Sequence, residues 1–270
     1  MPLSGNISEL CEIKINIIGV GHVSSSIARN LFGKVKFGYV ISRDKGKAEN
    51  LAKEIGAEAK TYEDDFLLSG AILLGVSDSA LPDVCKLIEK KVDKNVVAIH
   101  FSGFLPSDIL PESWSPASMH PNCAVSNERY NFKDVVFGIE GMERGLQIAK
   151  YLIELLGGQY VLIPKERKAE YHLAAVIASN FPVALAYLSQ KLYTDIGFSE
   201  ELSRKVISKL FESVSQNIAS KNLKDALTGP VKRGDWEVVE SEREIFNAIT
   251  PYYNKLYDLM IQILKEIKEQ

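Results

Sequence analysis

The sequence predicts an α/β protein: a doubly wound parallel sheet over residues 1–163, followed by an all-helical domain over 164–270. Three observations carry this reading. An apolar run at Ile13–Ile18 breaks at a glycine turn and passes into a helix-like segment. Short apolar runs then alternate with helix-period stretches, and beyond Pro164 the helix period continues without a convincing strand.

In order, Ile15, Ile17 and Ile18 form the first strand, and Gly19-Val20-Gly21-His22-Val23-Ser24 turns into the first helix, which runs to about Arg29. Val35–Ile41 is the second strand, Lys45–Ile55 a helix and Glu58–Thr61 a short strand. The unbroken apolar run Ala71–Val76 reads as a buried parallel strand, ending at Ser77-Asp78-Ser79 before a helix over Leu81–Lys90. Val96–Phe101 leads to Ser102-Gly103; Ala117–Met119, Val135–Glu140 and Tyr160–Ile163 are further strand-like pieces. Helices are expected at about Lys165–Asp195, Ser199–Ala219, Asp235–Ile249 and Pro251–Lys268.

The glycine turn carries the first functional expectation. A strand, a tight turn and a helix N-terminus let backbone N–H groups and the helix dipole meet a pyrophosphate, so Gly19, Gly21, His22, Val23 and Ser24 are candidate dinucleotide contacts. Ser24 replaces the third glycine of G-x-G-x-x-G and is small enough to keep helix and strand close. At the end of the second strand, Ser42-Arg43 would hold a 2′-phosphate and favours NADP over NAD. The alternative is a solvated Arg43 with Asp44 on the ribose. Ligands of an open parallel sheet lie beyond its strands' carboxyl ends, which adds Val76, Ser77, Asp78, Ser102 and Gly103 to the cofactor set. Asp78 could equally be a helix N-cap.

Composition narrows the class. Hydrophobic residues are 46% of 270 and the net charge is −3, which fits a globular protein without a basic face for nucleic acid. No stretch is expected to reach the length of a membrane span, and Met1–Cys11 lacks the layout of a signal peptide, so a cytoplasmic protein is expected. Cys11, Cys85 and Cys123 suit reduced packing thiols. No metal-ligand spacing occurs among His22, His100, His120 and His172, and no metal is expected. For His100 and His120 a packed or backbone-bonded imidazole is the better reading.

The helix opening the second domain is the most suggestive catalytic element. At about 100° per residue, Lys168, His172 and Ser179 share a narrow face, with Tyr171 to one side and Asn180 to the other. Pro182 is expected to bend the helix beside Asn180. Later, Thr228-Gly229-Pro230 and Arg233-Gly234-Asp235 make a structured turn in which Asp235 can cap the next helix and Arg233 can face an anion.

These motifs, with His100-Phe-Ser102-Gly103, His120-Pro121 and Tyr171-His172-Leu-Ala-Ala, resemble the Rossmann-like oxidoreductases whose C-terminal half is a domain of unknown function. The plan is more distantly similar to pyrroline-5-carboxylate reductase, ketopantoate reductase and the β-hydroxyacid dehydrogenases. The resemblance implies an NADP-dependent oxidoreductase acting on a small carbonyl, hydroxy or imine substrate in a homodimer. In this reading Lys168 or His172 moves the proton, Asn180 and Ser102 hold the substrate heteroatom, and Arg233 holds a carboxylate or phosphate. Lys168 is followed at the four-residue spacing by His172, where β-hydroxyacid dehydrogenases and ketopantoate reductase place Asn, so their Lys-centred mechanism does not transfer. The competing classes are a non-catalytic NADP-binding sensor and a deazaflavin-dependent NADP reductase. The latter needs an apolar slot for a second planar ring.

Overall fold

The computed structural model describes residues 12–270; Met1–Cys11, including the first cysteine, lies outside the described residues. Eight strands form one sheet in the order β3-β2-β1-β4-β5-β6-β7-β8. They are β1 Lys14–Ile18, β2 Lys36–Ile41, β3 Glu58–Lys60, β4 Ala71–Leu74, β5 Val97–His100, β6 Ala117–Pro121, β7 Val136–Gly141 and β8 Gln159–Leu162. The helices are α1 His22–Leu31, α2 Lys45–Ile55, α3 Leu81–Ile88, α4 Glu143–Leu156, α5 Lys168–Asp195, α6 Glu200–Ser220, α7 Leu223–Ala226, α8 Pro230–Arg233, α9 Trp236–Ile249 and α10 Asn254–Glu269.

The central strands are apolar on both faces because both are covered. Ile15, Ile17, Ala71 and Leu73 pack into one cluster with Ile27, Leu31, Leu51 and residues of α4. Ile18, Ile72 and Leu74 face the other way, against Val84, Ile88, Leu110 and Trp114. Strand order reverses at β1, which pairs in parallel with β2 on one side and β4 on the other. A crevice at that switch point is where such sheets take a ligand.

The sheet is not parallel throughout: β6 and β7 pair antiparallel, with His120 opposite Gly138. No helix crosses between them, so the chain returns beside the strand it has left. α4, which the sequence reading passed over, then supplies the crossover that makes β8 parallel to β7.

Two compact units are formed by Met1–Asn180 and Phe181–Gln270. The chain passes between them inside α5, which remains helical through Pro182. One expectation is corrected here. Lys165–Asp195 is long and apolar enough to cross a membrane, with mean hydropathy 1.4. Residues 171–190 contain no Asp, Glu, Lys or Arg, and their Tyr, His, Ser and Asn disguise an uncharged run. In the second unit Val231, Val239 and Ile261 form a small core with Tyr257 and Leu264. The turn expected around Gly229 and Gly234 is the one-turn helix α8, with both glycines at positive φ on its ends. Asp235 occupies the N-cap position of α9 without a side-chain cap bond, because its carboxylate takes the Arg233 Nε–H at 2.7 Å.

Candidate active site

The first half of the site is built by missing side chains. Gly19 has φ +87°, and a Cβ there would stand 2.7 Å from the Gly75 carbonyl oxygen and 2.7 Å from Val76 Cγ1. α1 begins after Gly21, whose lack of a side chain leaves the first-turn N–H groups without a side-chain cap. Its N–H groups therefore remain available to an anion. Ser24 does what a third glycine would: its buried hydroxyl donates to the Gly19 carbonyl at 2.7 Å and accepts the Gly21 N–H at 3.1 Å. Room for it comes from across the crevice, since a Cβ on Gly75 would lie 2.2 Å from Ser24 Cβ. The glycine that interrupts the apolar run 71–76 was the available signal.

Gly21, His22, Val23, Ser24, Val76, Ser77, Asp78 and Ser102 line one cavity of about 300 Å3 with Gly75 and Phe101. The structure thus brings together most of the expected cofactor set. Asp78 does not cap a helix; its carboxylate accepts the Ser102 hydroxyl at 2.6 Å. Ser42 is buried and accepts the Asp44 N–H. Asp44 in turn caps α2 through Oδ1, accepting from the Lys47 N–H. Arg43 is exposed, forms no ion pair among the described residues, and acts electrostatically on Tyr62. These residues fit a dinucleotide: a cradle that a Cβ would fill, uncapped helix N–H groups, and an unpaired guanidinium at the end of β2.

The second half gathers where β5 and β6 end. Lys168, 3% exposed, donates to the Ser102 carbonyl at 3.1 Å and to the Ser118 hydroxyl. Its ammonium lies 3.8 Å from the buried Glu140 carboxylate. Glu140 is held by the Ser107 N–H and by the Ser107 hydroxyl at 3.0 Å. Burial pushes the Lys168 pKa down to about 8, against the pull of Glu140 and Asp78. This lysine is committed to the Ser102 loop.

One turn further along α5, Tyr171 and His172 sit on the same flank. Tyr171 Oη is 2.8 Å from His120 Nδ1. The rings of His120 and His172 lie edge to face at 6.1 Å. Both converge on Gly103: a Cβ there would stand 2.9 Å from His120 Nε2 and 2.9 Å from His172 Nδ1. The buried His172 Nδ1 has no hydrogen-bond partner. Burial, then the nearby Lys168 and His172, lower the His120 pKa to about 4. His100 is wholly buried, accepts the Ser102 N–H on Nδ1, and is driven to about 3 by burial. It is a packing and loop-anchoring imidazole.

The side chains of the remaining candidates have other partners. Ser102 already donates to Asp78 and accepts the Phe104 and Leu105 N–H groups. Ser179 and Asn180 are exposed and bonded to each other at 2.9 Å. Arg233 belongs to the second unit, where Asp235 holds it. Sequence reasoning missed Ser107, Ser118 and Glu140, and it read His120 as a packed residue.

Residues 14–101 match the family model described as NADP oxidoreductase, coenzyme F420-dependent, and residues 135–263 match a domain of unknown function, DUF2520. The chain is 40% identical to protein TM1727 from Thermotoga maritima, covering 94% of this chain and 98% of that one with a TM-score of 0.79. Similarity of fold extends to BF3122 from Bacteroides fragilis, provisionally assigned as an NADP oxidoreductase (22% identity, 95% and 99% coverage, TM-score 0.76). It extends also to the NADP-bound pyrroline carboxylate reductase of Plasmodium falciparum (14% identity, 96% and 99% coverage, TM-score 0.60). Comparison with curated proteins finds no match. The chain has an NADP-oxidoreductase-like fold, and it belongs to the family of the Thermotoga protein, in which that α/β domain precedes the domain of unknown function.

Proposed function

We propose that this protein is a cytoplasmic NADP-dependent oxidoreductase that moves hydride between nicotinamide and a small anionic carbonyl, hydroxy or imine substrate. One observation carries the reading: the crevice built by Gly19, Gly21 and Gly75 ends at Ser102, one residue from the loop on which His120 and His172 converge. The bound nicotinamide supplies the hydride; the protein supplies orientation and proton handling. Arg43, unpaired beside the buried Ser42, selects the 2′-phosphate. Lys168 braces the Ser102 carbonyl, and His172 keeps an unpaired ring nitrogen for the substrate end. Exposed Val183, Tyr187, Leu210 and Val214 of the second unit support a homodimer that buries them.

The test offers NADPH with a panel of small 2-oxo acids and cyclic imines and follows absorbance of the reduced nicotinamide. Consumption of NADPH with at least one class is expected, from a preparation that sediments as a dimer. NADPH binding without turnover across the panel would make the protein a cofactor sensor instead. The coenzyme F420 in the family model's description favours a second reading, with a deazaflavin as hydride partner. Bleaching of oxidised F420 by NADPH would establish it.

A further inference from the structure

The first unit holds another cavity, of about 710 Å3, that shares no lining residue with the nucleotide crevice. Its apolar walls come from three places. Leu110 and Pro116 belong to the connection between β5 and β6, Met142 and Leu146 to the start of α4, and Leu162 and Ile163 to the end of β8. Gly141, at φ +144°, lets the end of β7 press against this connection, since a Cβ there would stand 2.5 Å from the Pro116 carbonyl oxygen. β8 is the last strand of the sheet and all four of its residues are exposed, so the cavity opens at an uncovered edge. Its volume falls in the range of small-molecule sites, roughly 300–1,000 Å3.

The charges in and behind these walls do not cancel. Lys165 pairs with Asp108. Glu140 is buried, held by both the N–H and the hydroxyl of Ser107, and balanced by Lys168 at 3.8 Å. Glu112 lines the same cavity, is exposed, and forms no ion pair among the described residues. One carboxylate is therefore left over. An anion entering here would meet Asp108, Glu112 and Glu140, and like charges brought together are strongly disfavoured. A ligand with an apolar body and one positive charge meets both the walls and the surplus.

We propose that this cavity is a second ligand site, taking an organic cation such as an arylalkyl amine, whose ammonium pairs with Glu112 while its body lies against Met142, Leu146 and Leu162. The site goes beyond the oxidoreductase reading and does not depend on it. Glu140 does not receive the ammonium, because Ser107 and Lys168 already hold its carboxylate. Its part is to fix the floor and to keep anions out. Glu112 is exposed, so the charged head stays near water while the body is buried, the same division that amphipathic side chains make.

The probe is phenethylamine, with hydrocinnamate as a similar body carrying the opposite charge. On the full-length protein labelled at its methionine methyl groups, the amine is expected to move the Met142 NMR signal saturably and to leave Met119 and Met260 in place. A dissociation constant of about 1–10 mM is expected for so small a ligand, and the carboxylate should bind at least about tenfold more weakly. Met142 stands half-exposed on the rim, so Met142→Trp fills the cavity without entering the core and should weaken the amine by at least about tenfold. Glu112→Gln should weaken it by about two- to fivefold. Both variants should keep the wild-type affinity for NADPH. Equal binding of amine and carboxylate, an unmoved Met142 signal, or undiminished amine affinity in either variant would overturn the proposal. So would displacement of the amine by NADP+, which would place it in the crevice. Slower sedimentation of Met142→Trp than of a wild type that binds no amine would make this face an interface between copies instead. Failure to bind NADPH would sink the oxidoreductase reading and leave the amine result standing.

Discussion

The turn at Gly19 and the turn at Gly103 both depend on a missing side chain, but the space serves different ends. At Gly19 the neighbours of the absent Cβ are the Gly75 carbonyl and Val76, and the nearby Ser24 hydroxyl is satisfied by the same backbone. The result is a shape. At Gly103 the neighbours are two imidazoles, one with an unpaired buried nitrogen. The result is a turn fitted to side chains, one of which leaves a nitrogen unpaired. A backbone cradle needs saturated internal bonds to remain rigid, whereas a chemical site must leave some groups unsatisfied until substrate arrives.

The largest expected effect strikes the bracing beneath the Gly103 turn. Lys168→Met leaves the Glu140 carboxylate buried without its ammonium, and should destabilise the protein by about 3–5 kcal/mol in denaturant unfolding. The double variant Lys168→Met, Glu140→Gln should recover much of that loss. The pH dependence has a definite sign. The Lys168 pKa is about 8 when folded against an ordinary 10.5, so between these values the unfolded chain binds more protons. Wild-type stability relative to Lys168→Met should rise by about 1 kcal/mol per pH unit across that window. A flat difference would mean that the ammonium is not desolvated by the fold.

The two turns separate next under matched substitutions. Gly19→Ala forces a positive φ on a residue with a Cβ and drives that atom into backbone. It should weaken NADPH binding by about 100-fold, corresponding to roughly 1–3 kcal/mol of overpacking plus the cost of the left-handed conformation. Gly103→Ala meets only side-chain atoms, which can yield. Its NADPH affinity should stay within about threefold of wild type, while turnover falls by more than tenfold. Equal loss of cofactor affinity in both variants, measured by NADPH fluorescence, would erase the distinction between shape and chemistry.

The cradle was legible in the sequence, and the bracing was not. Gly19, Gly21 and Ser24 announce themselves within a few residues of one another, and Ala71–Val76 is a single apolar run. The expected helix Lys45–Ile55 is the observed α2, bounded by the Asp44 cap and by Gly56 at positive φ. In contrast, Glu140 meets Ser107 across 33 positions and Lys168 meets Ser102 across 66. No periodicity encodes such contacts. The antiparallel β6–β7 pair was hidden for the same reason, since it follows from an absent crossover rather than from residues within either strand. The helical wheel gave the direction of Lys168 and His172 correctly, but direction is not depth. The same face at Ser179 is in solvent in this structure.

The smallest effect tests the far end of the cradle, where shape alone gives no selectivity between the two nicotinamide dinucleotides. Both carry the pyrophosphate that the Gly19 turn fits, so discrimination must come from the groups after β2. Asp44 caps α2 through Oδ1, while Arg43 is exposed, has no ion pair among the described residues, and has the charge to meet a 2′-phosphate. Arg43→Ala should weaken NADPH binding by about 10–100-fold, the usual worth of a hydrogen bond to a charged group, and leave NADH binding nearly unchanged. The loss should shrink as salt rises, because Arg43 is exposed and its field is screened. Parallel weakening of both cofactors would assign Arg43 to the cradle itself, whereas no change in either would return the ribose to Asp44.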